Sequence, residues 1–238
     1  MTRPRIDDAL LADVVGWDVG TWSSAVRHWE SVLAPRGGPL DCLEVGAGPG
    51  GPSLWLALAG HRVTCSNLDH TETQARPLHE RYGIADRVTY RDLDVQALPF
   101  HEEFDVAVFK SVLGGIPDGG QAEQRLAIEN LHAALRPGGL LLFAENLRGT
   151  PVHRLARSAA YRRRGVPQWR YLSLSELREH LRDFELVQLH TTGVLALFGP
   201  TETSRRALSR VDRVLGNRLM PARGHYVVYG SALKPAAP

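Results

Sequence analysis

Apolar and polar positions follow two rhythms along this chain. Between residues 21 and 34, Trp22, Val26, Trp29 and Leu33 share one face at helical spacing, with Thr21 as N-cap. Pro35 and Gly37-Gly38-Pro39 stop that helix. Short apolar runs then alternate with helical segments: strands are predicted at 40–45, 62–68, 87–91, 104–109 and 140–144, and helices at about 52–58, 72–82 and 121–135. In the last of these helices Ala127, Leu131, Ala134 and Leu135 stack at helical spacing, and Pro137-Gly138-Gly139 breaks it. Strands apolar on both faces, alternating with helices, predict a parallel sheet covered on both sides.

Beyond residue 146 the style changes. Arginines crowd residues 148–172 around a short helical stretch. Ser173-x-x-Glu176 is a capping-box signature that opens a helix to about 181. Residues 184–189 and 226–229 read as closing strands, separated by a helix near 204–215. No internal repeat or linker divides the chain, so residues 1–238 are read as one domain. It comprises a helical cap at 1–38, a core at 40–146 and a closing segment at 147–238.

Composition narrows the class. The 238 residues are 43% hydrophobic and 23% charged, which excludes a disordered chain or a fibre. A net charge of +2, from 28 basic and 26 acidic residues, lacks the basic excess of a dedicated nucleic-acid binder. Cys42 and Cys65 are the only cysteines and are expected to be buried thiols, not a disulfide framework. Residues 1–16 lack the unbroken apolar stretch of a signal peptide, and no run is long enough to span a bilayer. A cytoplasmic location is therefore expected. Lys110 and Lys234 are the only lysines in an arginine-rich chain, so Lys110, at the end of a strand, stands out.

The strongest motif is the turn Leu43-Glu44-Val45-Gly46-Ala47-Gly48-Pro49-Gly50-Gly51, leaving a strand and entering a helix. Glycines there let a ligand approach the main chain closely. Gly46, Gly48 and Gly51, with Asp69 downstream, also fit a dinucleotide fingerprint, so the turn alone leaves a nicotinamide enzyme open. Three features separate the readings. Glu44 at the strand exit suits a cationic ligand better than a pyrophosphate. Asp94-Val95 after the third strand offers an acceptor for an adenine amino group beside an apolar wall. Leu135-Arg136-Pro137-Gly138-Gly139 precedes the fifth strand.

In these pieces, and in their order over residues 40–146, the chain resembles the class I S-adenosylmethionine-dependent methyltransferases. The resemblance implies a doubly wound, mostly parallel seven-stranded α/β sheet with an antiparallel final strand, for which 226–229 is the candidate. It implies S-adenosylmethionine as cofactor, with Glu44, Gly46, Ala47, Gly48 and Gly50 at its amino-acid end and Asp94 and Val95 at the adenine. The family's ribose-binding acid falls on Asn67 here, so either Asn67 takes the ribose or Asp69 reaches back to it, with Leu68 between them also at the cofactor. Trp17 and Trp22, in a WDV-then-W pattern, would close the cap over the cofactor as a lid, or simply fasten the helix to the sheet. With the AENLRG and WRYLS strings, that pattern resembles a subgroup acting on surface glycans or similar secondary products.

Methyl transfer leaves positioning and water exclusion to the protein, and a base is needed only for a hydroxyl or protonated amine. His153, after the fifth strand, and Lys110, ending the fourth, are the candidate bases, with His28 a lesser one and Glu145, ending the fifth, a further candidate catalytic residue. Lys110 would alternatively orient an anionic acceptor, bind the cofactor or pair with Glu145. Glu145-Asn146 supplies half of a catechol-type metal site, but Lys110 stands in place of the other carboxylate, so no metal is expected. Arg154, Arg157, Arg162, Arg163, Arg164 and Arg170 would receive a phosphate, carboxylate or sugar nucleotide, or form a solvated helix face. Phe198-Gly199-Pro200 is a candidate wall of the acceptor pocket.

The expected function is metal-independent O-methylation of a small-molecule or glycan-like acceptor, with natural-product biosynthesis as its setting and a homodimer allowed. The rivals are an RNA or protein methyltransferase, and a cofactor-binding cyclase or regulatory protein that transfers no methyl.

Overall fold

The computed structural model describes residues 7–116 and 120–236. The first six residues of the expected cap lie outside that range, as do the last two of the closing segment. The element order is α1 (Asp8–Val15), α2 (Val19–Leu33), β1 (Asp41–Val45), α3 (Gly51–Leu58), β2 (Arg62–Asn67), α4 (Thr71–Arg81) and β3 (Val88–Asp92). Then follow β4 (Phe104–Lys110), α5 (Gln121–Ala134), β5 (Leu135–Asn146), α6 (Pro151–Arg164) and α7 (Leu174–His180). The chain closes with β6 (Glu185–Thr192), α8 (Glu202–Val211) and β7 (Val227–Leu233).

The seven strands form one sheet in the order β3-β2-β1-β4-β5-β7-β6. The first five are parallel, and β7 runs antiparallel between β5 and β6. This is the expected doubly wound sheet with its reversed final strand. Reversal of strand order beside β1 opens a crevice at the carboxyl ends of β1 and β4, where such sheets bind ligands.

Two apolar layers flank the sheet. One packs α1, α2 and α3 through Val14, Trp22, Trp29, Leu54 and Trp55; the other packs α5 and α7 through Ile128, Leu131, Phe143 and Leu177. Cys42 and Cys65 are buried free thiols in the first layer.

Two elements depart from the sequence pattern. β5 begins at Leu135, not Leu140, because Pro137-Gly138-Gly139 bends within the strand instead of ending a helix. The backbone there still pairs with β7's end, Gly138 N donating to Lys234 O and Lys234 N to Gly139 O. α1 is the second departure. The octapeptide DALLADVV is capped by Asp7, whose carboxylate accepts from Leu10 N at 2.8 Å. A Cβ at Gly51 would collide with the carbonyl oxygen of Val14, so glycine at the start of α3 lets the cap lie directly on the glycine turn. Among the described residues, no helix is long and apolar enough to cross a membrane.

Candidate active site

The turn after β1 takes its shape from its glycines. Gly46 has φ +61°, and a Cβ there would strike the Val112 side chain. At Gly48 (φ +52°) an added Cβ would meet nothing within 4 Å. It would project into the open space that a ligand lying on the main chain needs. That space is a cavity of about 450 Å³ walled by Gly46, Ala47 and Gly48, by Glu44 and Lys110 from the strand ends, and by Val14 to Trp17 of the cap.

Glu44 is buried at the floor of this cavity, and one carboxylate oxygen accepts from Ser53 N at 2.7 Å. Burial pushes its pKa up to about 8, partly opposed by the Ser53 hydrogen bonds. A cationic amino group or sulfonium nearby would restore its charge. Burial also lowers the pKa of Lys110. Its ammonium makes no hydrogen bond or ion pair among the described residues; it faces the Trp22 ring, 5.0 Å from the centroid.

The expected Lys110–Glu145 ion pair does not form. Glu145 is fully buried, with Oε2 accepting from Val112 N and Leu113 N, both at 2.8 Å, and Oε1 from Asn146 N at 2.7 Å. Its carboxylate fastens the turn after β4 to the end of β5. With its oxygens so committed, Glu145 offers nothing to a reacting atom or to a metal. Among the described residues, no group of three or more His, Cys, Asp or Glu side chains is placed to hold a metal ion.

A second cavity of about 470 Å³ adjoins the first, and both are walled by Trp17, Ser111 and Trp169. Its other walls include Asn146, Arg157, Tyr161, Arg164, Tyr171, Leu197 and Arg205. Ser111 stands where the two meet. It has φ +60°, a strained value for serine, and its hydroxyl accepts from Asn146 Nδ2 at 2.6 Å. No sequence motif announces this conformation at the end of a central strand.

Three other sequence candidates lie elsewhere. His153 does not reach either cavity. Its Nδ1 faces Thr150 N at 3.0 Å and its Nε2 lies 2.7 Å from Val194 O, so both ring nitrogens are engaged in the cap of α6. Phe198 stacks on the same ring at 5.2 Å instead of walling the acceptor cavity, where Leu197 stands. His28 hydrogen-bonds Ser231 on the far side of α2. Trp22, fully buried, lies behind Lys110 and 6.0 Å from the Trp17 ring; of the two tryptophans, Trp17 is the one on the cavity walls.

The remaining cofactor candidates line the neighbouring strand ends outside the enclosed part. Asn67 ends β2 and holds Gly48, its Oδ1 accepting from Gly48 N at 2.7 Å. Leu68 and Asp69 follow it at the surface, Leu68 being 57% exposed. Asp94, after β3, caps the short turn Val95–Ala97 by accepting from Gln96 N at 2.8 Å, and Val95 is buried beside it. Gly50 is the left-handed N-cap of α3, and its carbonyl oxygen lies 2.9 Å from His79 Nε2.

Residues 43–143 match a protein-family model described as a methyltransferase domain. The fold of the whole chain is that of solved class I S-adenosylmethionine-dependent methyltransferases. Its fold is similar to that of Haemonchus contortus phosphoethanolamine N-methyltransferase 2, a structure in complex with phosphomonomethylethanolamine and S-adenosylhomocysteine. The TM-score is 0.62 at 16% identity, over 90% of this chain and 53% of that one, so this chain spans about half of that enzyme's length. A methyltransferase from Methanosarcina mazei gives 0.62 at 18% identity, over 87% and 98% of the two chains. The cyclase SpnF gives 0.61 at 20% identity, over 96% and 92%. No curated protein matches the chain by sequence. The glycine cradle and the buried Glu44 fit the cationic amino-acid end of S-adenosylmethionine, the cofactor of this class.

Proposed function

We propose that this protein O-methylates a small-molecule or glycan-like acceptor without a metal ion. The observation that carries this reading is the common wall of the two cavities: a cofactor seated on Gly46 to Gly48 and an acceptor in the arginine-lined chamber would meet at Ser111. When bound, S-adenosylmethionine supplies a methyl carbon that passes to a nucleophilic oxygen as its bond to sulfur breaks.

The protein's own residues position and exclude water. Glu44 receives the cofactor's cationic end, and the amides of the glycine turn hold it. Asn67 and Asp69 face the ribose, and Asp94, Val95 and Leu68 the adenine. Trp17 roofs both ligands. Lys110, as the uncharged amine that burial favours, takes the hydroxyl proton at Nζ and becomes an ammonium that Glu44 and Glu145 stabilise from a distance. His153 and Glu145 act as struts, not as catalytic groups. Arg148 and Arg170 both pair with Glu176, and Arg157 is buried, which interrupts the continuous basic surface that an RNA substrate would need.

The test is calorimetric titration with S-adenosylmethionine, S-adenosylhomocysteine and NAD, followed by S-adenosylhomocysteine release from a panel of phenols and their aniline counterparts. Binding of the first two ligands alone, with turnover on phenols, is expected. NAD binding alone would sink the reading. The likeness to SpnF favours one second reading, a cyclase, for which the cofactor would bind and no acceptor would release S-adenosylhomocysteine.

A further inference from the structure

The acceptor chamber has an unbalanced charge. Arg157, Arg164 and Arg205 stand on its wall, and no aspartate or glutamate does. Arg157 is only 6% exposed, an unusual burial for a guanidinium. It donates from Nη1 to Leu147 O at 2.6 Å and from Nη2 to Asn146 Oδ1 at 3.3 Å, both neutral acceptors. A guanidinium has five N–H donors, so most of its capacity is left over. Its carbon lies 4.0 Å from the Tyr171 ring centroid, which steers the fork without neutralising it.

Arg205, on α8, is half-buried and only loosely paired. Its closest acid is Glu202 at 3.9 Å, whose two oxygens already accept from Asp18 N and Val19 N. Its Nε is buried with no partner, and its guanidinium lies over Trp17. Arg164 pairs with no acid among the described residues. A buried guanidinium that hydrogen-bonds only neutral acceptors, as Arg157 does, is costly, and such a site is stabilised when an anion enters it. Around the arginines stand Trp17, Tyr161, Trp169 and Tyr171, flat walls suited to a planar ring.

We infer that the acceptor is a planar molecule carrying a carboxylate or phosphate, which Arg157 and Arg205 grip while its nucleophilic oxygen is presented at Ser111. The inference rests on the methyl-transfer reading and deepens it. Lys110 and the arginines then divide the work, the lysine at the reacting end and the guanidiniums at the anchoring end.

The test uses the S-adenosylhomocysteine-loaded protein, so the first titration reports the cofactor reading independently. The loaded protein is then titrated with 4-hydroxybenzoate and phenyl phosphate, against 4-hydroxybenzamide and phenol. At least tenfold tighter binding of an anion than of its neutral counterpart is expected, and the stronger of the two anions identifies the headgroup. Arg205→Gln should erase that preference, and Arg164→Gln, at an exposed position where folding is not at stake, should reduce it. Affinities within threefold of each other for charged and neutral probes, or no binding of any probe, would overturn the inference. So would a preference that survives both substitutions. Each of these failures leaves S-adenosylhomocysteine binding intact, whereas failure of the cofactor reading abolishes it.

Discussion

Asn67 grips Gly48 from both directions, accepting from its N–H at 2.7 Å and donating from Nδ2 to its carbonyl at 3.2 Å. The side-chain amide thus pins the turn on which the cofactor lies, a task that the family's acid could not perform in the same way. Asn67→Asp should remove the donor and set a carboxylate against the Gly48 carbonyl. We expect a loss of about 1–3 kcal/mol in stability and roughly tenfold weaker S-adenosylhomocysteine binding. Thermal denaturation and calorimetry would check this; unchanged affinity would show that the turn holds without the clasp.

Lys110→Met removes an amine whose charged form burial disfavours and which forms no ion pair among the described residues. The variant should fold with a Tm equal to or above that of the wild type and bind S-adenosylhomocysteine within threefold. Its turnover should fall by two orders of magnitude or more. Lys110→Arg should not restore activity, because a guanidinium stays protonated. A collapse in Tm would instead assign the lysine a structural role.

Cofactor affinity should depend on Glu44. With its carboxyl pushed up to about 8, the free protein holds a proton there at neutral pH that a cationic ligand displaces. Relative to Glu44→Gln, wild-type binding of S-adenosylmethionine should strengthen as pH rises from 6.5 to 8.5, with proton release visible in buffers of different ionisation enthalpy.

Asp18 provides a pH test of the cap. It is fully buried, accepts from the Tyr226 hydroxyl at 2.6 Å, and its pKa is raised by burial to about 6 from 3.8. A raised acid contributes stability below the unfolded value and loses it as pH climbs through the folded one. Asp18→Asn keeps an acceptor for Tyr226 and cannot ionise. It should match the wild type near pH 4 and exceed it by on the order of 2 kcal/mol at pH 7. The difference should develop between pH 4 and 6 in thermal melts.

His153→Gln should lower Tm, since both ring nitrogens brace α6 against Val194 and Thr150. Its kcat should stay within threefold of the wild type wherever the protein is folded. A hundredfold loss of kcat with an unchanged Tm would return the histidine to the catalytic set.

The parallel half of the sheet was readable because β4 is a largely apolar run and β1 leads straight into a glycine-rich turn. The capping box was equally readable: Ser173 Oγ accepts from Glu176 N at 3.2 Å, and Glu176 accepts from Ser173 N at 2.7 Å. Both signals are local. The acceptor side was not readable in this way, because α6 carries several arginines and only packing decides that Arg157 turns inward while Arg154, Arg162 and Arg163 face solvent. His153 misled for the same reason: residue type shows a capable base, but not that Val194 O already occupies its ring nitrogen. Ser111 left no trace in sequence, since its mark is a backbone angle.

Among the described residues, Trp17 is the one cap residue on the walls of both cavities, and the next two amides, of Asp18 and Val19, are tied to Glu202 on α8. A single indole therefore walls two rooms. On the proposed methyl transfer, a movement of Trp17 that frees the spent cofactor would also uncover the methylated product. A substitution that loosens the Glu202 tether should then speed both exits together, a kinetic symmetry that separate lids would not produce.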